Sequence, residues 1–143
     1  MPEKIIDHSA ISMYEQDQCK YSIVVNRRRM IPEVRDGLIP VQRRVIFAAY
    51  KDGLTSPNKK DKSVYLVGTT RKYYHAHGDS SIYGAIATIV AEYKTKYPLF
   101  YGKGNWGNLT GVGPAAPRYT EKRPLWQTIR LPMRQRESQE YAL

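Results

Sequence analysis

The sequence predicts an α+β fold that is mainly helical, and two observations support this. Several stretches before residue 98 repeat apolar residues at helical spacing, and two of them are joined by a short turn that contains glycine. The next stretch, residues 99–117, holds five glycines and two prolines, which is typical of a loop or a hairpin of short strands. With 143 residues, the chain has the length of one domain. A helix-turn-helix followed by a small hairpin, or wing, is a winged-helix architecture.

The individual elements follow from apolar spacing and from the residues that start and stop helices. Proline marks most of the boundaries, since Pro32 ends the first helix, Pro40 opens the second and Pro98 stops the fourth. The fourth helix is the best amphipathic stretch, and Asp79 or Ser80 is its predicted cap. In chain order the predicted elements are helices at 14–28, 40–50, 63–73 and 80–97, with a polar loop at 54–62 and a tight turn at 75–79.

The excess of positive charge indicates which class of molecule the protein binds. Lys and Arg total 23 against 13 Asp and Glu, so the formal net charge is +10 and the pI is near 9.7. Such an excess in a small domain indicates a polyanionic partner, either nucleic acid or an anionic membrane surface. No window suits a membrane span and the N-terminus lacks a signal peptide's apolar core, so we expect a soluble cytoplasmic protein. The single Cys19 excludes an internal disulfide and a multi-cysteine zinc site.

Two groups of residues could carry chemistry. His75 and His77 lie in the predicted turn, where imidazole donors beside a helix N-terminus can contact a phosphate. A structural role in the turn stays open, and a metal site there would need further ligands. Arg118 precedes Tyr119, and a neighbouring guanidinium can activate a phenol and hold a phosphoryl oxygen. Local pattern does not single out Tyr119 among 12 tyrosines, because an exposed strand tyrosine beside an arginine would look the same.

Five short motifs follow one another between Tyr21 and Glu121. In chain order they are Pro32-Glu33-Val34-Arg35-Asp36-Gly37-Leu38, Pro40-Val41-Gln42-Arg43-Arg44-Val45, His75-Ala76-His77-Gly78-Asp79-Ser80, Gly104-Asn105-Trp106-Gly107 and Arg118-Tyr119-Thr120-Glu121. Each motif is weak by itself. Their order and spacing together resemble the type IIA DNA topoisomerases, above all the start of the bacterial gyrase A and topoisomerase IV A-type chains.

The resemblance implies a breakage-reunion subunit, which cuts one DNA duplex, lets a second pass and reseals the cut, with ATP consumed by the complete enzyme. It makes Tyr119 the nucleophile that becomes joined to a 5′ phosphate, and Arg118 the residue that stabilises the transition state. The further positions that match DNA-contacting residues of the family are Arg29, Arg43, Arg44, His75, His77 and Ser80.

The resemblance also implies partners and cofactors that other chains supply. In the family, Mg²⁺ is held by a Toprim domain and ATP by a further domain, both on a gyrase B or topoisomerase IV B-type subunit. We therefore expect no metal site in this chain itself. The expected partners are duplex DNA, a second copy of the chain in a homodimer, and the B-type subunit.

The predicted organisation has three parts: an N-terminal arm at 1–20, a winged-helix breakage-reunion domain at 21–121, and a basic tail at 122–143. The tail has no likeness to the family, so we expect it to be poorly ordered, as in a truncated or frame-shifted product. Two other functions stay open. A non-catalytic winged-helix DNA-binding module, or inactive remnant, would not need Tyr119, and an RNA-binding protein would stack bases on tyrosines.

Overall fold

The computed structural model describes residues 9–125, and within them it contains four helices and a three-stranded sheet. In chain order the elements are α1 (Ala10–Arg29), α2 (Pro40–Lys51), β1 (Asp61–Lys62), α3 (Ser63–Tyr73), α4 (Asp79–Val90), β2 (Phe100–Lys103) and β3 (Glu121–Pro124). The fold is α+β and winged-helix-like, which confirms the predicted class. Two compact units, Met1–Pro40 and Val41–Leu143, make up the chain.

In the N-terminal unit, the described residues form α1 and a turn. None of the residues of α1 is buried, and its last turn carries three arginines, a favourable place for cations because the helix dipole is negative there. The helix ends at Arg29, before Pro32, because a residue that precedes proline avoids the helical conformation. In the turn that follows, the N–H of Gly37 donates to the carbonyl of Glu33 at 2.7 Å. Gly37 has φ of 68°, which glycine adopts without strain.

In the C-terminal unit, α2 buries the face that the sequence predicts. Val45, Ala48 and Ala49 are at most 2% exposed. On another face, the ring of Phe47 meets the ring of Tyr74 edge-on, with their centroids 5.3 Å apart. This contact places α2 beside the C-terminal end of α3. Within residues 9–125, no helix has both the length and the apolar character needed to cross a membrane.

Helix α4 begins at the predicted place but without the predicted cap. Its N-cap is Gly78, and no side chain caps the helix there. Asp79 forms an ion pair with Arg71 of α3 instead, at 3.1 Å. Ser81, not Ser80, donates its hydroxyl to the carbonyl of Gly78, at 2.8 Å. The prediction of Asp79 or Ser80 as the cap was therefore wrong, because the acid is engaged by the neighbouring helix.

The predicted end of α4 was also wrong, since the helix stops at Val90 rather than at residue 97. Ala91 ends a run of buried residues, and residues 92–94 that follow it are exposed. With no apolar side chain to keep against the core, the chain turns back. The N–H of Leu99 then donates to the carbonyl of Ile89 at 3.1 Å, which starts the return towards β2.

The sheet is antiparallel throughout, in the order β1-β3-β2. The predicted wing does contain a strand, β2, but its partner β3 lies beyond residue 117 and includes residues 122–124 of the predicted tail. The predicted boundary at residue 121 therefore falls within a strand. β1 lies inside the predicted polar loop 54–62, so that prediction missed a short strand. The remainder of the predicted tail, residues 126–143, lies outside the described residues.

Gly102 sets how closely β2 packs. A Cβ at this position would lie 2.3 Å from Nε1 of Trp106 and 2.4 Å from Cγ1 of Val90, so only glycine fits. Trp106 is 8% exposed, and its ring centroid is 5.9 Å from that of Tyr83. The small sheet therefore packs closely against α4 at Gly102, and the aromatic pair joins the loop after β2 to the same helix.

Candidate active site

Residues 117–119 form the turn that carries the predicted nucleophile; we call it the tyrosine turn. The N–H of Tyr119 donates to the carbonyl of Ala116 at 2.9 Å, while the residue itself is 64% exposed. The guanidinium carbon of Arg118 lies 4.7 Å from the centroid of the Tyr119 ring. A cation over the ring face is attracted by the ring's π-electrons, which favours this pairing of the two side chains. The structure thus presents an accessible tyrosine with its own adjacent cation.

The start of α3 anchors the tyrosine turn. Both the N–H and the hydroxyl of Ser63 donate to the carbonyl of Thr120, at 3.0 and 3.2 Å. The N–H of Val64 donates to the carbonyl of Pro117 at 3.2 Å. The first N–H groups of a helix have no acceptor within the helix, so the carbonyls of the turn satisfy them. The start of α3 and the tyrosine turn, which are distant in sequence, therefore hold each other in place.

A second anchor is a group of buried hydroxyls beneath the turn. Thr120 is 0% exposed, and its Oγ1 lies 2.9 Å from Oγ of Ser63 and 3.1 Å from Oη of Tyr83. Tyr83 in turn donates its hydroxyl to the carbonyl of Ala115. Burial raises the pKa of Tyr83, while the hydrogen bond with Thr120 opposes that shift. Tyr83 stays protonated as a donor, and sequence reasoning did not identify it.

A buried lysine supports the same turn from the sheet. Lys122 is 1% exposed, and its ammonium donates to the carbonyl of Lys62 at 3.2 Å and lies 3.7 Å from a carboxylate oxygen of Asp61. Burial lowers the pKa of Lys122 to about 8, although the charge of Asp61 acts in the other direction. The ammonium of Lys62 donates to the carbonyl of Arg118 at 3.4 Å. β1 thus links the buried lysine to the tyrosine turn.

The predicted histidines form a second cluster with an arginine of α2. Nη1 of Arg44 donates to Nδ1 of His75 at 2.7 Å. Because a guanidinium has no acceptor, this contact places the proton of a neutral His75 on Nε2. The rings of His75 and His77 are stacked, with centroids 4.3 Å apart and planes 13° from parallel. The N–H of His75 donates to the carbonyl of Thr70 at 2.8 Å, which ties the cluster to the end of α3.

A cleft of about 710 Å³ runs along α3, and His77 of the histidine cluster lines it. Val64, Gly68 and Arg71 line one side at helical spacing, and residues 76–79 line the other. Val64 is also the residue whose N–H is bonded to Pro117 of the tyrosine turn. The cleft therefore begins beside the tyrosine turn and ends at the histidine cluster.

The structure brings some of the predicted site residues together and separates others. Arg118 stacks with Tyr119, and Arg44 joins the two histidines, as described above. Ser80 is exposed in the first turn of α4, whereas Arg43 is partly buried in α2. Arg29 is the last residue of α1, in the N-terminal unit. The catalytic and DNA-binding roles of all these residues stay predictions.

Metal binding gains no support from the donor set. Within residues 9–125, no group of three or more His, Cys, Asp or Glu side chains is arranged to hold a metal ion. The side chains present therefore do not fit a Mg²⁺ site, and we derive no step of the reaction through a metal held by this part of the chain.

Residues 29–135 match the family model that describes the A-type chain of DNA gyrase and topoisomerase IV. The chain belongs to this gyrase A/topoisomerase IV A family. This confirms the resemblance seen in the five motifs. The match continues beyond residue 122, where the sequence analysis expected the likeness to end.

Curated relatives support the family assignment. The chain is 47% identical to the DNA gyrase A protein of Deinococcus deserti over 103 residues, which is 72% of this chain. It is 42% identical to that of Haloquadratum walsbyi over 109 residues and 38% identical to that of Staphylococcus aureus over 128 residues, covering 76% and 90% of this chain. The chain spans only 13–14% of the length of these gyrase A proteins.

Proposed function

We propose that the chain binds duplex DNA and that Tyr119 makes a reversible break in one strand, as in the A-type chain of a type IIA topoisomerase. The observation that supports this most directly is the exposed Tyr119 ring with the Arg118 guanidinium 4.7 Å above it, on a turn held by buried hydrogen bonds. An accessible nucleophile on a fixed backbone loses little entropy when it meets its substrate.

The proposed step is a transesterification. Oη of Tyr119 attacks the phosphorus of a phosphodiester, a new P–O bond to tyrosine forms, and the bond to the 3′ oxygen breaks. The phenol gives up one proton and the departing 3′ oxygen gains one, so the step needs no net proton, oxidant or reductant. Arg118 would stabilise the negative charge that develops on the phosphoryl oxygens. Because one phosphoester replaces another, the freed 3′ hydroxyl can reverse the reaction.

The cleft along α3 is the proposed place for the DNA backbone beside the cut. His77 lines it, and the stacked His75 carries its ring proton on Nε2 when neutral. Imidazole donors just before the N-terminus of α4 suit a phosphate group. Arg44 would orient His75, while Arg43, Ser80 and Arg29 are the other proposed DNA contacts.

Other chains would complete the enzyme. We propose that a gyrase B or topoisomerase IV B-type subunit holds Mg²⁺ in its Toprim domain and binds the ATP that drives strand passage. A break in both strands needs two tyrosines, so a homodimer of A-type chains is part of the proposal. The proposed location is the cytoplasm.

A covalent-complex assay tests the proposal. The full chain is mixed with supercoiled plasmid, Mg²⁺ and a B-type subunit, the reaction is stopped with detergent, and protein bound to DNA is measured. Tyr119→Phe removes the nucleophilic oxygen, whereas Tyr97→Phe is a matched control at another exposed tyrosine. We expect the adduct in the wild type and in Tyr97→Phe, and none in Tyr119→Phe.

Two other outcomes have distinct meanings. An adduct that persists in Tyr119→Phe would assign the nucleophile to another residue and refute the proposed mechanism. DNA binding without an adduct in any variant would instead support the alternative of a non-catalytic winged-helix module.

A further inference from the structure

A second group of cations lies on the outer face of the sheet, apart from the α3 cleft. Within β3, Lys122 and Pro124 are buried, while Glu121 and Arg123 alternate with them and are only half-buried. The register sets Tyr101 of β2 opposite Arg123. Because side chains alternate between the two faces of a strand, Tyr101 and Arg123 share the outer face, and Lys103 shares it with Glu121.

These residues surround a cleft of about 330 Å³, which Lys60 also lines. We call it the sheet cleft. Among residues 9–125, no carboxylate forms an ion pair with Lys60, Lys103 or Arg123. Glu121 is the single acid on its rim. Three cations against one acid leave this depression with a net positive charge, and a bound anion would relieve the repulsion among the cations.

Arg123 is held in a shape suited to a phosphate. Its guanidinium carbon lies 4.3 Å from the centroid of the Tyr101 ring. Its Nε is buried and has no hydrogen-bond partner. The side chain is therefore fixed on the ring rather than free in solvent. A flat guanidinium held in this way can offer a forked pair of donors to two phosphate oxygens, with less entropy to lose than a mobile one.

The position of the sheet cleft relative to Tyr119 indicates which phosphate it takes. Arg123 follows Tyr119 by four residues, and β3 is extended, so the two backbones are at most ~14 Å apart along the chain. One DNA strand advances ~3.4 Å per nucleotide, so this span corresponds to about four nucleotides. We propose that the sheet cleft is a separate phosphate site, which binds the DNA backbone within about four nucleotides of the phosphate that Tyr119 attacks. This inference rests on the proposed function.

Salt-dependent binding of duplex DNA tests the proposal. The full chain carrying Lys60→Gln and Lys103→Gln is compared with a charge-matched control, Lys94→Gln with Lys96→Gln, whose lysines do not line the sheet cleft. Each lost phosphate contact lowers the slope of log affinity against log salt by about 0.9, equivalent to roughly tenfold weaker binding near ~0.1 M salt. We expect the slope of the sheet-cleft variant to fall by the amount expected for the loss of about two phosphate contacts, and the control to keep the wild-type slope.

A change in the opposite direction provides a second test. Glu121→Gln removes the one acid on the rim and should tighten DNA binding, again with a larger effect at low salt. Lys60 and Lys103 form no ion pair with any residue of the described part of the chain, so their replacement should not disturb the fold, which thermal unfolding would verify.

The outcomes separate this inference from the proposed function. Equal slopes for the two double variants would overturn the sheet cleft as a DNA site while leaving a Tyr119-dependent adduct intact. Binding of inorganic phosphate can be measured by phosphorus NMR. If the sheet-cleft variant lost this binding but kept the wild-type DNA slope, the cleft would be a site for free anions, and the proposal of a DNA site would be overturned. A slope that falls as expected, in a chain that forms no adduct, would support the sheet cleft and refute the catalytic proposal.

Discussion

Replacing Lys122 with methionine is expected to stabilise the fold at neutral pH, because the native lysine carries its charge in a buried place. The side chain is 0% exposed, while that of its partner Asp61 is 26% exposed. Burial lowers the pKa of Lys122 from 10.5 to about 8. At ~1.4 kcal/mol per pKa unit, holding the charge in the folded state costs about 3 kcal/mol.

The direction of the pH dependence follows from this shift. Below pH 8 the lysine is protonated in both folded and unfolded chains, so the full cost is present. Between the folded pKa of about 8 and the unfolded value of 10.5, the unfolded chain binds more protons, so stability rises with pH. Above 10.5 the lysine is neutral in both states and the cost disappears.

The substitution also removes favourable contacts. The carbonyl of Lys62 loses its donor, which is worth about 1 kcal/mol, whereas the attraction of Asp61 is already contained in the lowered pKa of Lys122. The expected net gain in the free energy of unfolding at pH 7 is therefore about 2 kcal/mol. Lys103→Met, the same change at an exposed position of β2, should alter stability by less than about 0.5 kcal/mol.

Denaturant unfolding followed by circular dichroism between about pH 7 and pH 9.5 measures both effects. This range stays below the ionisation of Tyr74 and Tyr83, whose pKa values burial raises above 10.0. Wild type and Lys103→Met should gain about 2 kcal/mol across the range, and Lys122→Met should stay flat. A flat wild-type profile, or a Lys122→Met variant clearly less stable than wild type at pH 7, would refute the reasoning.

Three further predictions use the same unfolding measurement. Tyr83→Phe removes the donor to the carbonyl of Ala115 and should cost about 1–2 kcal/mol and speed proteolysis of the adjoining loop; unchanged stability and cleavage would contradict the anchoring role. Gly102→Ala should cost about 1–3 kcal/mol, because its Cβ would lie 2.3 Å from Trp106 Nε1. Gly84→Ala, with nothing within 4 Å of the new Cβ, should instead stabilise α4 by about 0.5–1 kcal/mol, and a loss there would show a missing contact.

Much of the helical part of the fold could be predicted because helices leave a local signal. Proline at the start of α2 and the apolar spacing of α3 placed these helices within a residue of their observed bounds. The end of α4 could not be placed in this way. Its stop at Val90 depends on where the core ends, since the exposed residues 92–94 are acceptable in a helix by their own propensity.

The sheet was harder to predict because its strands are short and lack an apolar alternation. β1 has two residues, Asp61 and Lys62, and β3 reads Glu-Lys-Arg-Pro, a sequence that looks like a solvated tail. The pairing partners are distant in sequence, with Asp61 opposite Lys122. The tertiary arrangement alone buries the lysine of this strand, and no local sequence pattern predicts that burial.

The candidate site, like the fold, could be predicted from the sequence only in part. The motifs single out Arg118, Tyr119 and the two histidines, and the structure joins the histidines to Arg44, which lies 31 positions before His75. What the motifs do not contain is the support beneath them. The hydroxyls of Ser63 and Tyr83 meet Thr120 across separations of 57 and 37 residues.

This support explains how the backbone of an exposed residue can have a defined position. Tyr119 has 64% of its surface open to solvent, yet the next residue, Thr120, is fully buried and bonded to two helices. The boundary between exposed and buried therefore falls between two adjacent residues. In the proposed mechanism, the exposed side chain lets a DNA phosphate reach Tyr119, and the fixed backbone holds the tyrosyl phosphate in place for attack by the freed 3′ hydroxyl. A loop of this composition without the hydroxyl network would leave Tyr119 equally exposed but without a defined position.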